Sequence, residues 1–270
     1  MKGPYPLNIC GVDPAPQMFV HSKTDAHISQ QISQTGRWEV FETQLLCDLL
    51  SDDAIFIDVG ANIGYYTVVA SRVVGPGGRV FAFEPEADNF ALLEENIRCN
   101  QLDNVHAVRA ALSDCNSSGH IYLNEENRGD HQIFRQAGND RANRTSQSIE
   151  LLNGADYLQQ QRVERIDVLK IDTQGAEAAV VSGLMPLIRN SLPDINIIIE
   201  FTPYSLAQAG SSGMALLDLI DSLSLPLQLI DHIGHKLMPY TYQDMQQWIK
   251  QTDDDIGNEG FINLQVGKGV

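Results

Sequence analysis

Ile55-Phe56-Ile57-Asp58-Val59-Gly60-Ala61-Asn62-Ile63-Gly64-Tyr65-Tyr66 carries more of this chain's reading than any other stretch. A run of β-favouring apolar residues ends in an acid, crosses a turn with two glycines and enters a helical pattern. An open α/β sheet presents a nucleotide in this way, at the carboxyl end of its first strand. Asp58 stands where a cationic ammonium is held. Gly60 and Gly64 leave the backbone bare where a ligand and the following helix come close.

Outward from this stretch, strands and helices alternate. Residues 55–59 read as the first strand and 64–74 as its helix, followed by the turn Gly75-Pro76-Gly77-Gly78. Residues 79–83 read as the second strand, ending at Glu84-Pro85. A helix over 86–99 puts Phe90, Leu93 and Ile97 on one face. Residues 105–112 read as the third strand, ending at Ser113-Asp114. Between about 116 and 162 the rhythm breaks into an insertion. Its short alternating runs, 120–123 and 147–151, flank a polar stretch over 125–144. The alternation resumes with a strand at 167–171 and a helix at 176–190, which Pro186 bends or shortens. A strand at 195–201, a helix at 214–223 and strands at 227–231 and 261–266 complete the chain. Before the first strand, residues 1–24 read as irregular. Residues 25–50 read as a helical lid broken near Gly36, with Phe41, Leu45 and Leu49 in one stripe. The expectation is one domain over 1–270, with the lid and the insertion as embellishments.

With 35 acidic against 18 basic residues, the formal net charge is −17, which disfavours nucleic acid and anionic membrane surfaces. Cys10, Cys47, Cys99 and Cys115 lack metal-type spacing and read as reduced, buried thiols. No apolar run reaches the roughly 18 residues of a membrane span. The N-terminal residues lack the apolar core of a signal peptide, so a cytoplasmic location is expected.

Two cofactor classes use such a sheet, and both want an acid such as Glu84 after the second strand for the ribose hydroxyls. Three details favour S-adenosylmethionine over a nicotinamide dinucleotide. Asn62 occupies the middle glycine of the GxGxxG that pyrophosphate approach requires. Asp58 would repel a pyrophosphate but suits an α-ammonium. The chain also ends on two β-like runs separated by a polar stretch. These fit a closing antiparallel pair at the sheet edge, as in class I methyltransferases.

The segments Asp58-Val59-Gly60-Ala61-Asn62-Ile63-Gly64-Tyr65-Tyr66-Thr67 and Gly78-Arg79-Val80-Phe81-Ala82-Phe83-Glu84-Pro85 carry a family resemblance. So do Asn96 with Asn100, Ala111-Leu112-Ser113-Asp114, and Leu169-Lys170-Ile171-Asp172-Thr173-Gln174-Gly175-Ala176-Glu177. In this order and spacing they resemble the FkbM-type S-adenosylmethionine-dependent methyltransferases, from about Trp38 to Phe201. The run from Glu150 to Leu158 departs from the family's pattern, on the acceptor side rather than the cofactor side. The implied fold is a Rossmann-like α/β sheet, mostly parallel with an antiparallel C-terminal strand and helices on both faces. The implied acceptors are small molecules, sugars or glycolipid-like compounds.

Each candidate residue has a functional and a bland reading. Asp58 accepts from the methionine ammonium or caps the next helix. Gly60 and Gly64 permit close approach or only shape the turn. Asn62 bonds the cofactor carboxylate or steadies that turn. Glu84 takes both ribose hydroxyls. Asp114 accepts from the adenine amino group or forms a turn. Glu39, in a Trp-Glu pair shared with the family, reaches the cofactor or stays solvated. Asp172 closes strand four, where it orients the acceptor hydroxyl, receives its proton or holds a divalent cation; Glu177, five residues on, joins it there or only complements a helix dipole. His131, oriented by Asp130 in a Gly-Asp-His stretch similar to the family's, is the other candidate base. His232 and His235 have no completing ligand set, so no metal site is assigned.

The expected chemistry is O-methylation with His131 or Asp172 as base. Neither an Asp-Pro-Pro-Tyr motif nor a Pro-Cys nucleophile points to nucleobase methylation. The rival readings are a cofactor-binding protein without turnover and a nicotinamide-dependent oxidoreductase.

Overall fold

A computed structural model describes residues 1–9, 11–22, 25, 27–124, 128, 131–132, 145–253 and 260–269. The N-terminal segment is ordered rather than irregular. Strands β1 (Lys2–Pro6) and β2 (Gln17–Val20) form an antiparallel ribbon. Helices α1 (Ile28–Thr35) and α2 (Val40–Leu49) follow, parted at Gly36, whose left-handed backbone (φ 68°) lets its N–H bond back to the Ile32 carbonyl.

The alternating part begins with β3 (Ile55–Val59), α3 (Tyr65–Val74), β4 (Arg79–Phe83), α4 (Ala87–Cys99) and β5 (Val105–Val108). Then come β6 (Ala111–Ser113), β7 (Ser117–Tyr122), β8 (Ser146–Asn153) and α5 (Gly154–Gln160). The chain returns through β9 (Val168–Ile171), α6 (Glu177–Asn190), β10 (Asn196–Phe201), α7 (Pro203–Gln208) and α8 (Gly213–Asp221). It closes with β11 (Leu227–Asp231), β12 (Lys236–Pro239), α9 (Tyr242–Asp253) and β13 (Ile262–Val266).

The main sheet runs β12-β11-β13-β10-β9-β3-β4-β5, with β10, β9, β3, β4 and β5 joined in parallel. Its order reverses between β3 and β9. The chain steps outward from β3 to β5 and then comes back on the other side, which opens a crevice at the carboxyl ends. Parallel strands covered on both faces must be apolar on both faces. Ile57, Val59, Phe81, Phe83, Leu169, Ile171, Ile197 and Ile199 pack toward α6 and α8. Phe56, Val80, Val168 and Ile198 pack toward α2 and α3. Each such fully buried side chain contributes about 1.5–3 kcal/mol. Period-two alternation then places Asp58 and Lys170, register partners on β3 and β9, on the α2–α3 face.

Four further expectations are corrected. The third strand does not run to Leu112. It stops at Val108, turns with the Ala110 N–H on the Val108 carbonyl, and gives β6 to a second sheet of order β6-β8-β7. Close packing holds β6 there, since a Cβ on Gly183 of α6 would sit 2.0 Å from the Ser113 carbonyl oxygen. The closing antiparallel pair of β11 and β13 forms, but it is not the edge: β13 lies between β10 and β11, and β12 forms the border. Pro186 lies inside α6 without shortening it, since the helix continues to Asn190. Nor are the described cysteines buried, Cys115 being exposed and Cys47 and Cys99 half-buried.

The N-terminal ribbon is bound to α4 by two asparagines. Asn96 accepts from the Phe19 N–H at 2.6 Å and donates to the Phe19 carbonyl at 3.0 Å. Asn100 does the same for Gln17, at 2.8 and 2.6 Å. Positions four apart on a helix rise about 6 Å, close to the step between alternate strand residues. The two amides therefore act as rungs of a strand edge. Asn96 also donates to the Ile63 carbonyl at 2.8 Å, joining the ribbon to the glycine turn.

Candidate functional site

The turn after β3 holds three left-handed residues, Gly60 (φ 85°), Asn62 (φ 51°) and Gly64 (φ 88°). The Gly60 and Ala61 N–H groups both donate to the Phe83 carbonyl, which ties the turn to the end of β4. A Cβ at Gly60 would lie 1.9 Å from the Asp172 carbonyl oxygen, and one at Gly64 2.6 Å from Leu93 Cδ1. Both glycines are thus demanded by the protein's own packing, and Gly64 does not reach the cavity. Asn62 steadies the turn, its side-chain oxygen accepting from the Ile63 N–H at 2.7 Å.

Above this turn lies a cavity of about 500 Å³. Glu84 is on its wall and buried, with Oε2 accepting from the Asn62 N–H at 2.8 Å and Oε1 from the Glu86 N–H at 2.9 Å. Burial raises its pKa to about 8, although these two N–H groups pull the other way. A carboxylate has about four acceptor positions, and the Asn89 side chain is a third partner, so one position remains for a ligand hydroxyl. Ala111, Leu112 and Ile121 give the same wall an apolar surface.

Asp58 is not on the wall. It lies buried beneath the turn and accepts from Thr67 Oγ1 at 2.6 Å. Its carboxylate is thus tied to a side chain in the first turn of α3. Burial raises its pKa to about 6, while Lys170 and Thr67 lower it. Asp114 is also displaced. Because β6 leaves the main sheet, Asp114 becomes an exposed turn residue outside the cavity lining. Glu177 caps its own loop, accepting from the Thr173 and Gly175 N–H groups.

Glu39 does reach the cavity. It sits in a left-handed residue ahead of α2 (φ 38°), and its Oε2 accepts from the Tyr66 hydroxyl at 2.6 Å. Burial, then the Glu42 charge, raises its pKa to about 8. Asp172 also lines the cavity, one residue past β9. Its Oδ1 accepts from Gln174 Nε2 at 2.9 Å and its Oδ2 lies 3.5 Å from Lys170 Nζ. The same Gln174 nitrogen donates to Glu200 Oε1 on β10 at 2.6 Å. Burial, then the Asp172 and Glu177 charges, holds Glu200 well above the usual carboxylate range.

Lys170 and Glu200 went unassigned in the sequence, though each is the one charged residue of a mostly apolar parallel strand. The buried Lys170 ammonium is 3.7 Å from Glu42 Oε1 and 4.6 Å from the Tyr66 ring centre. Burial alone would lower its pKa, but Asp172, Glu42, Glu39 and Asp58 together raise it. His131 lines the cavity and its Nδ1 accepts from the Asn124 N–H at 3.0 Å. Asp130 lies outside the described residues. Arg128 joins the wall with its carbonyl accepting from Asn62 and Asn89, and its guanidinium on Asp88. His232 faces Glu42 and His235 stacks on Phe41, so neither forms part of a ligand set. Among the described residues no group of side chains could hold a metal ion, and no helix is long and apolar enough to cross a membrane.

The hexuronic acid methyltransferase AglP of Haloferax volcanii is 29% identical over 58% of this chain and 59% of its own length. Methyltransferase sdnD of Sordaria araneosa is 28% identical over 50% of this chain and 62% of its own. The chain thus matches less than two thirds of these relatives. The 2-O-methyltransferase NoeI of Sinorhizobium fredii is 28% identical over 68% of this chain and 78% of its own. The crystal structure of an FkbM methyltransferase from Methylobacillus flagellatus aligns over 80% of this chain and 44% of that one, at 15% identity and a TM-score of 0.48. The profile of the methyltransferase FkbM domain matches residues 58–251, from the acid of β3 into α9. The chain belongs to the FkbM methyltransferase family.

Proposed function

We propose that the protein is an S-adenosylmethionine-dependent O-methyltransferase acting on a hydroxyl of a small molecule, sugar or glycolipid-like acceptor. One observation carries this reading: the buried Glu84 shares a single cavity with Asp172 across the reversal in strand order. The β3–β4 side then holds the nucleoside, with Glu84 on the ribose and Leu112 and Ile121 against the base. The β9–β10 side receives the acceptor.

When bound, S-adenosylmethionine supplies a methyl group on a sulfonium leaving group. The protein's own work is alignment, exclusion of water and removal of the hydroxyl proton. Asp172 is the favoured proton acceptor. Gln174 and Lys170 fix its two oxygens, and it closes the strand next to the glycine turn. His131 is the second candidate. Calorimetry with S-adenosylhomocysteine, together with labelled methyl transfer to a panel of hydroxyl acceptors, tests the reading. Binding of a nicotinamide dinucleotide in place of S-adenosylhomocysteine would refute it. Binding without transfer to any acceptor would leave a cofactor-binding protein.

A further inference from the structure

The N-terminal ribbon lies outside the matched residues 58–251, yet it reaches the cofactor end of the cavity. Alternate residues of its second strand line up along α4 in reverse order. Gln17 meets Asn100, Phe19 meets Asn96, and His21, one residue past β2, meets Asn89. The third contact differs from the other two. Asn96 and Asn100 bond ribbon backbone, whereas Asn89 bonds a ring, with His21 Nε2 2.8 Å from its Oδ1. Asn89 is buried and lines the cavity, and both ends of its amide are engaged. Its Nδ2 donates to the Arg128 carbonyl at 3.2 Å and to the Glu84 carboxylate. A carbonyl and an ionised carboxylate only accept, so the amide oxygen faces His21 and the His21 Nε2 carries the hydrogen. Burial, the main influence on the ring, lowers its pKa and favours this neutral form near pH 7. The backbone of His21 is held as well. Its N–H donates to Ser29 Oγ at 3.2 Å, and the Ser29 N–H donates to the buried Asp25 at 2.8 Å.

We propose that the N-terminal ribbon is a working part of the cofactor site, with His21 acting through Asn89 as a positioning residue for Glu84. The inference rests on the methyltransferase reading of the cavity and adds to it a segment beyond the matched domain. Of the three donors around Glu84, two are backbone N–H groups, those of Asn62 in the glycine turn and Glu86 at the start of α4. Neither can turn away. The Asn89 amide can, because its terminal torsion is broad and close to two-fold, and a half-turn would set its oxygen against the carboxylate. The His21 N–H on that oxygen adds a third tie to those from Glu84 and Arg128. A ribose hydroxyl then meets a carboxylate whose remaining acceptor position is already oriented, which lowers the ordering that binding must supply. The effect falls on recognition of the ribose.

Calorimetry on the full chain compares S-adenosylhomocysteine with its analogue lacking both ribose hydroxyls. Wild type should bind the analogue more weakly. His21→Leu removes the N–H and should weaken S-adenosylhomocysteine about 3–10-fold, the scale of one neutral hydrogen bond, while the analogue changes by less than about twofold. His21→Gln sets an amide N–H near the place of the ring nitrogen and should restore S-adenosylhomocysteine to within about twofold of wild type. A merely structural role for the ribbon would weaken both ligands alike, and that result would overturn the proposal. So would unchanged S-adenosylhomocysteine affinity in His21→Leu, or a His21→Gln variant no better than the leucine one. Should His21→Leu not fold, His21→Phe keeps the bulk of the ring without its N–H and carries the same expectations. Equal affinity of wild type for the two ligands would take Glu84 off the ribose and end this proposal while cofactor binding stands. If wild type binds no S-adenosylhomocysteine, the methyltransferase reading fails first and takes this one with it.

Discussion

Replacing Glu84 by glutamine separates charge from shape at the point on which the cofactor reading rests. In the free protein one oxygen of Glu84 accepts from the Asn62 N–H and the other from the Glu86 N–H. Glutamine has a single accepting oxygen, so one buried N–H must face an amide NH₂. That costs about 1–3 kcal/mol of folding stability and falls on free and bound states alike. Ligand affinity loses a different quantity, one charge-assisted bond to a ribose hydroxyl, about 1.5–3 kcal/mol or roughly 10–150-fold in Kd. The pH dependence adds a second readout. Burial holds Glu84 at about 8 in the free protein, and a hydroxyl donor favours its ionised form. Wild-type affinity should therefore rise about tenfold from roughly pH 7 to roughly pH 9, with proton release on binding in the lower part of that window. Glu39 titrates in the same range, so the decisive quantity is the part of this slope that Glu84→Gln removes. Calorimetry with S-adenosylhomocysteine in buffers of different ionisation enthalpy measures both. Affinity within about twofold of wild type across the range, with an unchanged slope, would refute the assignment.

Three further outcomes follow from the geometry. Lys170→Met leaves Asp58, Glu42 and Asp172 without their cation. Its unfolding free energy should drop by about 3–5 kcal/mol near neutral pH and less at acid pH, and a loss below about 1 kcal/mol would mean that the cluster is screened. Gly60→Ala combines a left-handed backbone, about 1–2 kcal/mol, with a Cβ driven into the Asp172 carbonyl, about 1–3 kcal/mol. A normal urea midpoint with normal S-adenosylhomocysteine affinity would contradict that clash. Glu39 and Glu84 are both raised above their ordinary values, so the stability they confer is complete below about pH 4.5 and lost as pH rises through about 8. The free protein's denaturant midpoint should fall over that interval, and a flat or rising midpoint would contradict it.

Local pattern determined much of this protein. β3, β4 and β11 have the bounds that their apolar runs suggested, and the glycine turn and Glu84 stand where a nucleotide-binding sheet requires them. These features depend on residues close in the chain, where strand period, turn chemistry and the helix start act together. The N-terminal ribbon was not legible, because its pairing partner on one side is a helix. On that side Asn96 and Asn100, some 77 to 83 positions away, bond the β2 backbone groups. The third strand was overrun because 105–112 is a continuous β-type pattern. Packing of β6 against Gly183 sends its last part elsewhere.

The site divides along the same line. The sequence alone named Glu84, Asp172, Glu39, Asn62, Gly60 and His131, and all six line the cavity. It could not tell that Asp58 lies beneath the turn, that Asp114 leaves the sheet, or that Lys170 is the cation among four acids. Those outcomes depend on sheet order and face: the reversal between β3 and β9 makes Asp58 and Lys170 cross-strand partners, and α2 brings Glu42 onto them. A charge read along the chain has a type but no neighbours. Its role is set by the strand that folding places beside it.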